Sequence, residues 1–169
     1  MAIYDCFQFF DEEHILDLRL NILNDFVDFF VMVESTTDHQ GNSKKLNFDS
    51  KKFKEFNNKI IHIVVDDTAE AIKKPHIGGE SLVEQHQRNS LTRGLKNCHD
   101  NDLVILSDVD EIPDLNKLNI FDRKNKYAVF NFGMVSGASA VHGMIRIEKL
   151  ISTNKFSRPH LLRRAGILK

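Results

Sequence analysis

Apolar residues along the chain fall into short runs separated by polar segments, and the spacing within each run predicts its secondary structure. The run 27–34 is almost continuously apolar, which is typical of a strand covered on both faces, and 60–67 is predicted as a further buried strand. The segment 141–147 alternates apolar and polar residues, which predicts a half-exposed strand. Further strands are predicted at 2–7, 102–107 and 126–132.

Two helices are predicted between these strands. The first begins after Asp11, a suitable N-cap, and its apolar residues recur at helical spacing: Ile15, Leu18, Ile22 and Phe26. The second extends from about Ser81 to Cys98 and has one stripe of apolar and small residues: Val83, Ser90, Leu91, Gly94 and Cys98. The small residues in this stripe predict close packing of the helix on a sheet.

The order of strands and helices predicts an α/β fold with a mostly parallel central sheet flanked by helices. The length of 169 residues suits a single domain spanning 1–169, and 41% hydrophobic with 28% charged residues is ordinary for a globular protein. A net charge of -1 leaves no basic footprint for nucleic acid. Cys6 and Cys98 lie in apolar contexts and are predicted to be buried, reduced thiols.

No run of eighteen apolar residues exists that would predict a membrane span. The N-terminus "MAIYDCFQFF" has no basic region and no cleavage-type small residues, so it does not resemble a signal peptide. These features lead us to expect a cytoplasmic protein.

Acidic residues stand at or beside the predicted ends of four strands. They are Asp5, Glu34, Asp66 with Asp67, and Asp108 with Asp110. In a parallel α/β sheet, ligands bind outside the carboxyl ends of the strands. We therefore expect these carboxylates to converge along one edge of the sheet.

The segment "LVILSDVDEIPD", residues 103–114, leads an apolar strand directly into three carboxylates. On an extended strand, Asp108 and Asp110 at i and i+2 would point the same way and approach one hard cation. Oxygen ligands suit magnesium, manganese or calcium, and a nucleotide diphosphate is a natural further ligand. The alternative is a solvated strand end that enters a turn before Pro113.

Phosphatases of the haloacid-dehalogenase type also place D-x-D at a strand end. Their pattern adds Thr or Val two residues after the second Asp and usually lies near the N-terminus. Here that position is Ile112, and the motif lies late in the chain, so this alternative is disfavoured.

Four stretches, in this order, together resemble glycosyltransferase family 17: "IYDCFQFFDEEHILDLRLNIL", "VDFFVMVESTTDHQG", "QRNSLTRGL" and "LVILSDVDEIPD". The resemblance implies a nucleotide-sugar-binding fold of the GT-A type and a UDP-N-acetylglucosamine donor. It also implies a divalent metal, Mn²⁺ or Mg²⁺, a glycan acceptor and inversion at the anomeric carbon.

The resemblance implies site roles residue by residue. Asp108 and Asp110 match the family's metal motif, and Asp108 is also a candidate for contact with the diphosphate. Glu111 is a candidate general base, with turn capping as its alternative role, and Glu148 is a second candidate base. A base beyond Lys169 is the remaining alternative.

Further candidates concern the donor. Asp5, Glu34 and Asp67 would meet the uridine and ribose at the strand ends. Arg88 and Asn89, beside the apolar stripe of the second helix, would contact the diphosphate, and Arg88 would alternatively pair with one of the acids. The polar loop after Glu34 would bring His39 near the site.

The chain also departs from the family. It stops at Lys169, before the family's segment rich in Gly, Trp, His and Ser, and it contains no tryptophan. We therefore expect a form truncated at its C-terminus relative to the family. The chain starts directly at the predicted catalytic sheet, without the membrane anchor of the animal enzymes, and we therefore expect a bacterial or viral relative. A non-catalytic nucleotide-sugar-binding module, an inactive fragment and a plain α/β domain with no ligand remain as alternatives.

Overall fold

The computed structural model describes residues 1–68, 72, 76–77, 80–116, 127–131 and 141–146. Its centre is a six-stranded sheet, with a short antiparallel pair of strands beside it. The six strands are β1 (Ile3–Gln8), β2 (Phe29–Ser35), β3 (Ile60–Val65), β6 (Leu103–Leu106), β7 (Tyr127–Asn131) and β8 (Val141–Arg146), and the short pair is β4 (His76–Ile77) with β5 (Glu80–Ser81). The helices are α1 (Glu13–Leu23), α2 (Leu82–Asn89) and two 3₁₀ helices, Lys54–Phe56 and Ser90–Gly94.

The sheet confirms the predicted α/β architecture. Its strand order is β3-β2-β1-β6-β8-β7, and β1, β2, β3 and β6 are parallel. Strand β8 is antiparallel to both of its neighbours, β6 and β7. The chain runs outward from β1 to β3 and then returns to β6 on the other side of β1. This reversal is a topological switch point, where α/β sheets open a crevice for ligands.

Both faces of the sheet are covered, as the continuous apolar runs predicted. Side chains alternate across a strand, so Phe7 and Cys6 of β1 belong to opposite layers. The α1 layer contains Phe7 with Leu16, Leu20, Phe30 and Met32. The opposite layer contains Cys6 with Val31, Val33, Leu91 and Val104.

The face of α1 that packs on the sheet differs from the predicted one. The buried residues are Leu16, Arg19, Leu20 and Leu23. The predicted stripe points largely outward, because Leu18 and Ile22 are 49% and 47% exposed. The N-cap is Glu12 rather than Asp11. An arginine at the centre of the buried face weakens its apolar pattern, so the spacing of apolar residues favoured the wrong face.

The second predicted helix forms, but it is split. Helix α2 ends at Asn89, and the next turn, Ser90–Gly94, is a 3₁₀ helix. Ser81 caps α2, since its Oγ accepts from the Glu84 amide at 3.1 Å. The close packing predicted from small residues is confirmed at Gly94, where a Cβ would overlap the side chain of Val31.

Both cysteines are free thiols, as predicted. Cys6 is buried, and burial raises the pKa of the half-buried Cys98 thiol to about 12. Neither thiol is therefore ionised near neutral pH. Within the described part of the chain, no helix has the length and apolar character needed to cross a membrane.

Candidate functional site

A cleft of about 510 Å³ opens where β1 and β6 end, at the switch point of the sheet. It is lined by the ends of β1 and β2 and the segments that follow them, by the turn after β6, and by α2. The lining residues are Gln8, Phe9, Phe10, Glu12, Ile15, Ser35, His39, Lys44, Glu84, Gln87, Arg88, Asp108, Val109 and Asp110.

The D-x-D acids reach this cleft from a turn, not from a strand. Strand β6 ends at Leu106, and the Glu111 amide donates to the Asp108 carbonyl at 3.0 Å. The expectation that Asp108 and Asp110 project in parallel from an extended strand is therefore wrong. Both nevertheless line the same cleft, because the turn places them on its wall.

Glu111 closes the same turn from its other end. Its Oε2 accepts the Asp108 amide at 2.9 Å, while its own amide donates to the Asp108 carbonyl. Glu111 is absent from the cleft lining. The geometry favours the turn-capping alternative for this residue over a role as general base.

Arg88 reaches the cleft from α2 and contacts two acids. Its Nη2 donates to Asp108 Oδ1 at 2.9 Å and to Glu84 Oε1 at 3.1 Å. The Arg88 side chain is 12% exposed, whereas the Asp108 side chain is 37% exposed. Arg88 thus pairs with an acid, which the sequence analysis gave as the alternative to contact with the diphosphate.

A second arginine, which the sequence analysis missed, holds the D-x-D turn from beneath. Arg19 is fully buried, and its Nη1 donates to the carbonyls of Asp108, Val109 and Glu111 at 2.9, 3.1 and 3.1 Å. Its Nη2 donates to Ser107 Oγ at 2.5 Å. The available signal was an arginine at helical spacing from Leu16 and Leu23, within the true buried stripe of α1.

Asp5 is the partner of Arg19, and its predicted position was wrong. Strand β1 continues to Gln8, so Asp5 lies inside the strand and not at its end. Its Oδ1 and Oδ2 accept from Arg19 Nη2 and Nε, both at 2.7 Å, and both side chains are fully buried. The predicted contact with a nucleotide would need Asp5 in the cleft lining, but Asp5 is not part of that lining.

Glu34 lies next to the end of β2, as predicted, but it is fully buried. Its carboxylate accepts from the amides of Asn47 and Phe48, and Lys44 Nζ lies 3.3 Å from Oε1. Burial raises the pKa of Glu34, but the His62 ring 3.3 Å away, these two amides and the Lys44 charge outweigh it, so the net pKa is lowered. Glu34 is therefore held as a carboxylate beneath the cleft wall.

Asp67 follows β3 and is paired outside the cleft. Its Oδ1 lies 3.0 Å from His86 Nε2, and its Oδ2 accepts from Arg93 Nη2 at 2.7 Å. The hydrogen bond with His86 is the largest influence, and with Arg93 it lowers the pKa of Asp67. Strands β2 and β1 separate β3 from β6, which at the usual strand spacing puts the two strand ends roughly 14 Å apart.

The predicted convergence of four acids is thus wrong in part. Of Asp5, Glu34, Asp67 and Asp108, only Asp108 lines the cleft. Asn89 is the last residue of α2 and is also absent from the cleft lining. His39 does line it, as the position of its loop predicted.

The charges in the cleft are predominantly acidic. Four carboxylates line it, against two permanent cations: Glu12, Glu84, Asp108 and Asp110 against Lys44 and Arg88. Among the residues that the structure describes, no group of three or more His, Cys, Asp or Glu side chains is arranged to hold a metal ion.

Comparison with protein-family models gives one match, glycosyltransferase family 17, over residues 1–130. Comparisons with curated proteins and with solved structures gave no match. The matched residues span the four parallel strands, both walls of the cleft and the D-x-D turn. The chain therefore belongs to glycosyltransferase family 17, and this membership supports glycosyl transfer as its general activity.

Proposed function

We propose that this domain transfers N-acetylglucosamine from UDP-N-acetylglucosamine to a hydroxyl group of a glycan, with a divalent cation and with inversion. The observation that supports this best is the position of Asp108 and Asp110 in a cleft at the switch point of the sheet. Family membership supports glycosyl transfer in general. The donor, the cation and the inversion go beyond what family membership supports and are proposed here.

The size and the walls of the cleft suit a nucleotide sugar. Its volume of about 510 Å³ lies within the usual range for small-molecule sites, roughly 300–1,000 Å³. Phe9, Phe10 and Ile15 line it beside the polar residues. These side chains offer an apolar surface for the flat face of a base or a sugar ring.

The acidic balance of the cleft argues for a cation. Four carboxylates against two cations would repel a diphosphate, unless a divalent ion accompanies it. Asp108 and Asp110 would hold that ion, because they share the turn that forms one wall. When bound, such an ion stabilises the negative charge that develops on the UDP leaving group.

Arg88 is placed to respond to the cation. Its guanidinium donates to Asp108 Oδ1, on a carboxylate that would help to hold the cation. Asp108 would then contribute to holding the cation, and Arg88 would be free to donate to the diphosphate. A guanidinium suits this exchange, since its planar set of donors matches carboxylate and phosphate oxygens alike.

An inverting transfer needs a carboxylate that accepts the proton of the attacking hydroxyl. Glu12 Oε2 is held by the amides of Phe10 and Asp11 at 3.0 and 3.2 Å. The Glu84 side chain is 43% exposed, lines the cleft, and its carboxylate pairs with Arg88. We therefore propose Glu84 as the first candidate base among the described residues, while Glu148 lies outside them.

The test is UDP release from a panel of nucleotide sugars, with manganese or EDTA, together with UDP titrations of two matched variants. Asp110→Asn should abolish manganese-dependent binding, because an amide retains the shape but cannot neutralise a cation. Glu111→Gln should weaken binding less. Equal UDP affinity in EDTA and in manganese would contradict the proposal, and binding without turnover would favour the non-catalytic module.

A further inference from the structure

The contacts of Arg19 converge on the segment Ser107–Glu111, which contains both proposed cation ligands. Its guanidinium donates to three carbonyls of the turn, those of Asp108, Val109 and Glu111, and to the hydroxyl of Ser107. Its remaining contacts are with Asp5, on the strand beside β6. The turn is therefore tied to the centre of the sheet through one side chain of α1.

We propose that Arg19, held by Asp5, is a positioning residue that sets the direction of Asp108 and Asp110 into the cleft. This inference rests on the proposed function, because it gives the D-x-D turn a ligand to position. Arg19 itself is fully buried and lies outside the cleft lining, so it acts through the turn and not on the substrate.

The chemistry of arginine is suited to this role. A guanidinium has five N–H donors in a fixed plane, and here its three nitrogens make six contacts, one of which must share a donor. Asp5 balances its charge at 2.7 Å, which removes the cost of an unpaired buried cation. The ring of Phe7 lies 4.7 Å from the guanidinium carbon and restricts the plane further.

The turn needs such support because the direction of the Asp108 and Asp110 side chains depends on the conformation of its backbone. Binding sites require their ligating groups to stay within about 0.5 Å of the productive geometry. A lysine at position 19 would retain the charge, but its single ammonium has three donors and cannot span Asp5 and three carbonyls together. The carboxylates would then sample more directions, at an entropic cost to cation binding.

Two variants test the inference in the full chain. Arg19→Lys removes most contacts with the turn, and Leu23→Val, one helical turn away in the same core, is its control for lost stability. Ser107→Ala removes one link and leaves the Asp5–Arg19 pair intact, should Arg19→Lys fail to fold. Its control is Ser90→Ala, another buried serine, whose hydroxyl donates to the His86 carbonyl at 2.9 Å.

Two measurements are made on each variant under conditions where it is fully folded. Hydrogen exchange of residues 107–112 reports the order of the turn, and titration with UDP and manganese reports the site. Arg19→Lys should raise exchange in that segment selectively and weaken manganese-dependent UDP binding about 10-fold or more, the scale seen when supporting contacts of metal ligands are lost. Ser107→Ala should shift both measurements in the same direction by less, and the two controls should shift neither.

Unchanged exchange at 107–112, or a loosened turn with wild-type UDP affinity, would overturn the inference. Equal loss of affinity in Leu23→Val would also overturn it, because the effect would then follow stability alone. Absence of manganese-dependent UDP binding in the wild type would overturn the proposed function instead. The exchange measurement would still decide whether Arg19 orders the turn.

Discussion

Two arginine–aspartate pairs meet at the D-x-D turn, and they differ in their exposure to solvent. Arg19 and Asp5 are both fully buried, and Arg19 also holds the backbone of the turn from below. Arg88 and Asp108 are 12% and 37% exposed and meet on the cleft side of the same turn. Arg19 thus binds the main-chain carbonyl of Asp108, and Arg88 binds its carboxylate.

The difference shows how one ion pair becomes structural and another becomes available to a ligand. A buried pair is strong chiefly because neither partner can return to water when the other leaves. A pair at the wall of a cleft can open, since water or a ligand replaces the lost contact. Exposure and the surrounding contacts, more than residue type, separate the two roles.

The largest expected effect is on the buried pair. Asp5→Asn leaves Arg19 buried without a counter-charge, so it should lower the free energy of unfolding by about 3–5 kcal/mol. Asp67→Asn, at an aspartate that is 39% exposed beside Arg93, should cost less than about 1 kcal/mol. Urea unfolding of both variants checks this, and equal costs would break the distinction by burial.

Glu34 sharpens the comparison, since it is buried among amides, Lys44 and His62 with no arginine. Glu34→Gln should cost about 1–3 kcal/mol at neutral pH, because an amide presents N–H groups to donors. Because the folded protein lowers the pKa of Glu34, its stabilisation is present above the unfolded pKa, about 4.3, and is lost as the pH falls through the folded value.

The stability of the Glu34→Gln variant should therefore decline less steeply with acid than that of the wild type. Unfolding free energies measured from pH 7 to pH 3 compare the two proteins. If the free energies of unfolding of the two proteins fell in parallel with pH, Glu34 would make no special contribution to acid sensitivity. Pairing with a buried arginine would then be what makes a buried carboxylate stabilising.

The cleft pair should respond in binding more than in stability. Arg88→Lys should weaken manganese-dependent UDP binding about 10-fold, equivalent to about 1.4 kcal/mol, because lysine loses the planar set of donors. Paired melting and UDP titrations check this, with Arg93→Lys as the matched control. If a lower melting temperature accounted for the loss of binding, Arg88 would stabilise Asp108 and not contact the diphosphate. If melting temperature and UDP affinity both stayed at wild-type values, Arg88 would not belong to the site.

The smallest effect on stability is expected for Glu84, the outer partner of Arg88. Glu84→Gln removes an ion pair with i,i+4 spacing whose acid is 43% exposed, so it should change the free energy of unfolding by about 0.5 kcal/mol or less. Thermal unfolding of this variant beside Arg88→Lys measures the difference. A cost equal to that of Arg88→Lys would mean that Glu84, and not Asp108, is the main partner of Arg88.

Much of the site could be predicted because it depends on strand order. The apolar run at 27–34 identified a strand buried on both faces, and parallel strands place their ends at one edge. The run at 60–67 also forms a strand, but β3 lies at the edge of the sheet and is mostly half-buried, with Val64 37% exposed. Asp108 was predicted on this basis and Arg88 from the family resemblance, and the structure brings them together at 2.9 Å. The close approach at Gly94 was likewise visible as a small residue in an apolar stripe.

The failures share one cause, which is a charge in the core. Arg19 lies on the buried face of α1, so a pattern based on apolar residues selected the face of Leu18 and Ile22 instead. Asp5 was counted among the acids at or beside the strand ends, but β1 continues to Gln8. Its burial is explained by Arg19, 14 residues away, and this partnership does not appear in the local pattern.

By itself, the sequence determined the α/β class, the largely parallel sheet, the family and the acids of the D-x-D segment, because periodicity and short motifs are local properties of the chain. Only the tertiary structure decided which face of α1 is buried, which strand-end acids are already paired, and that the D-x-D residues form a turn held by Arg19. Those outcomes depend on contacts between distant segments. In a low-dielectric core, the free energy of a charge is set by the partner it meets there and not by its neighbours in sequence.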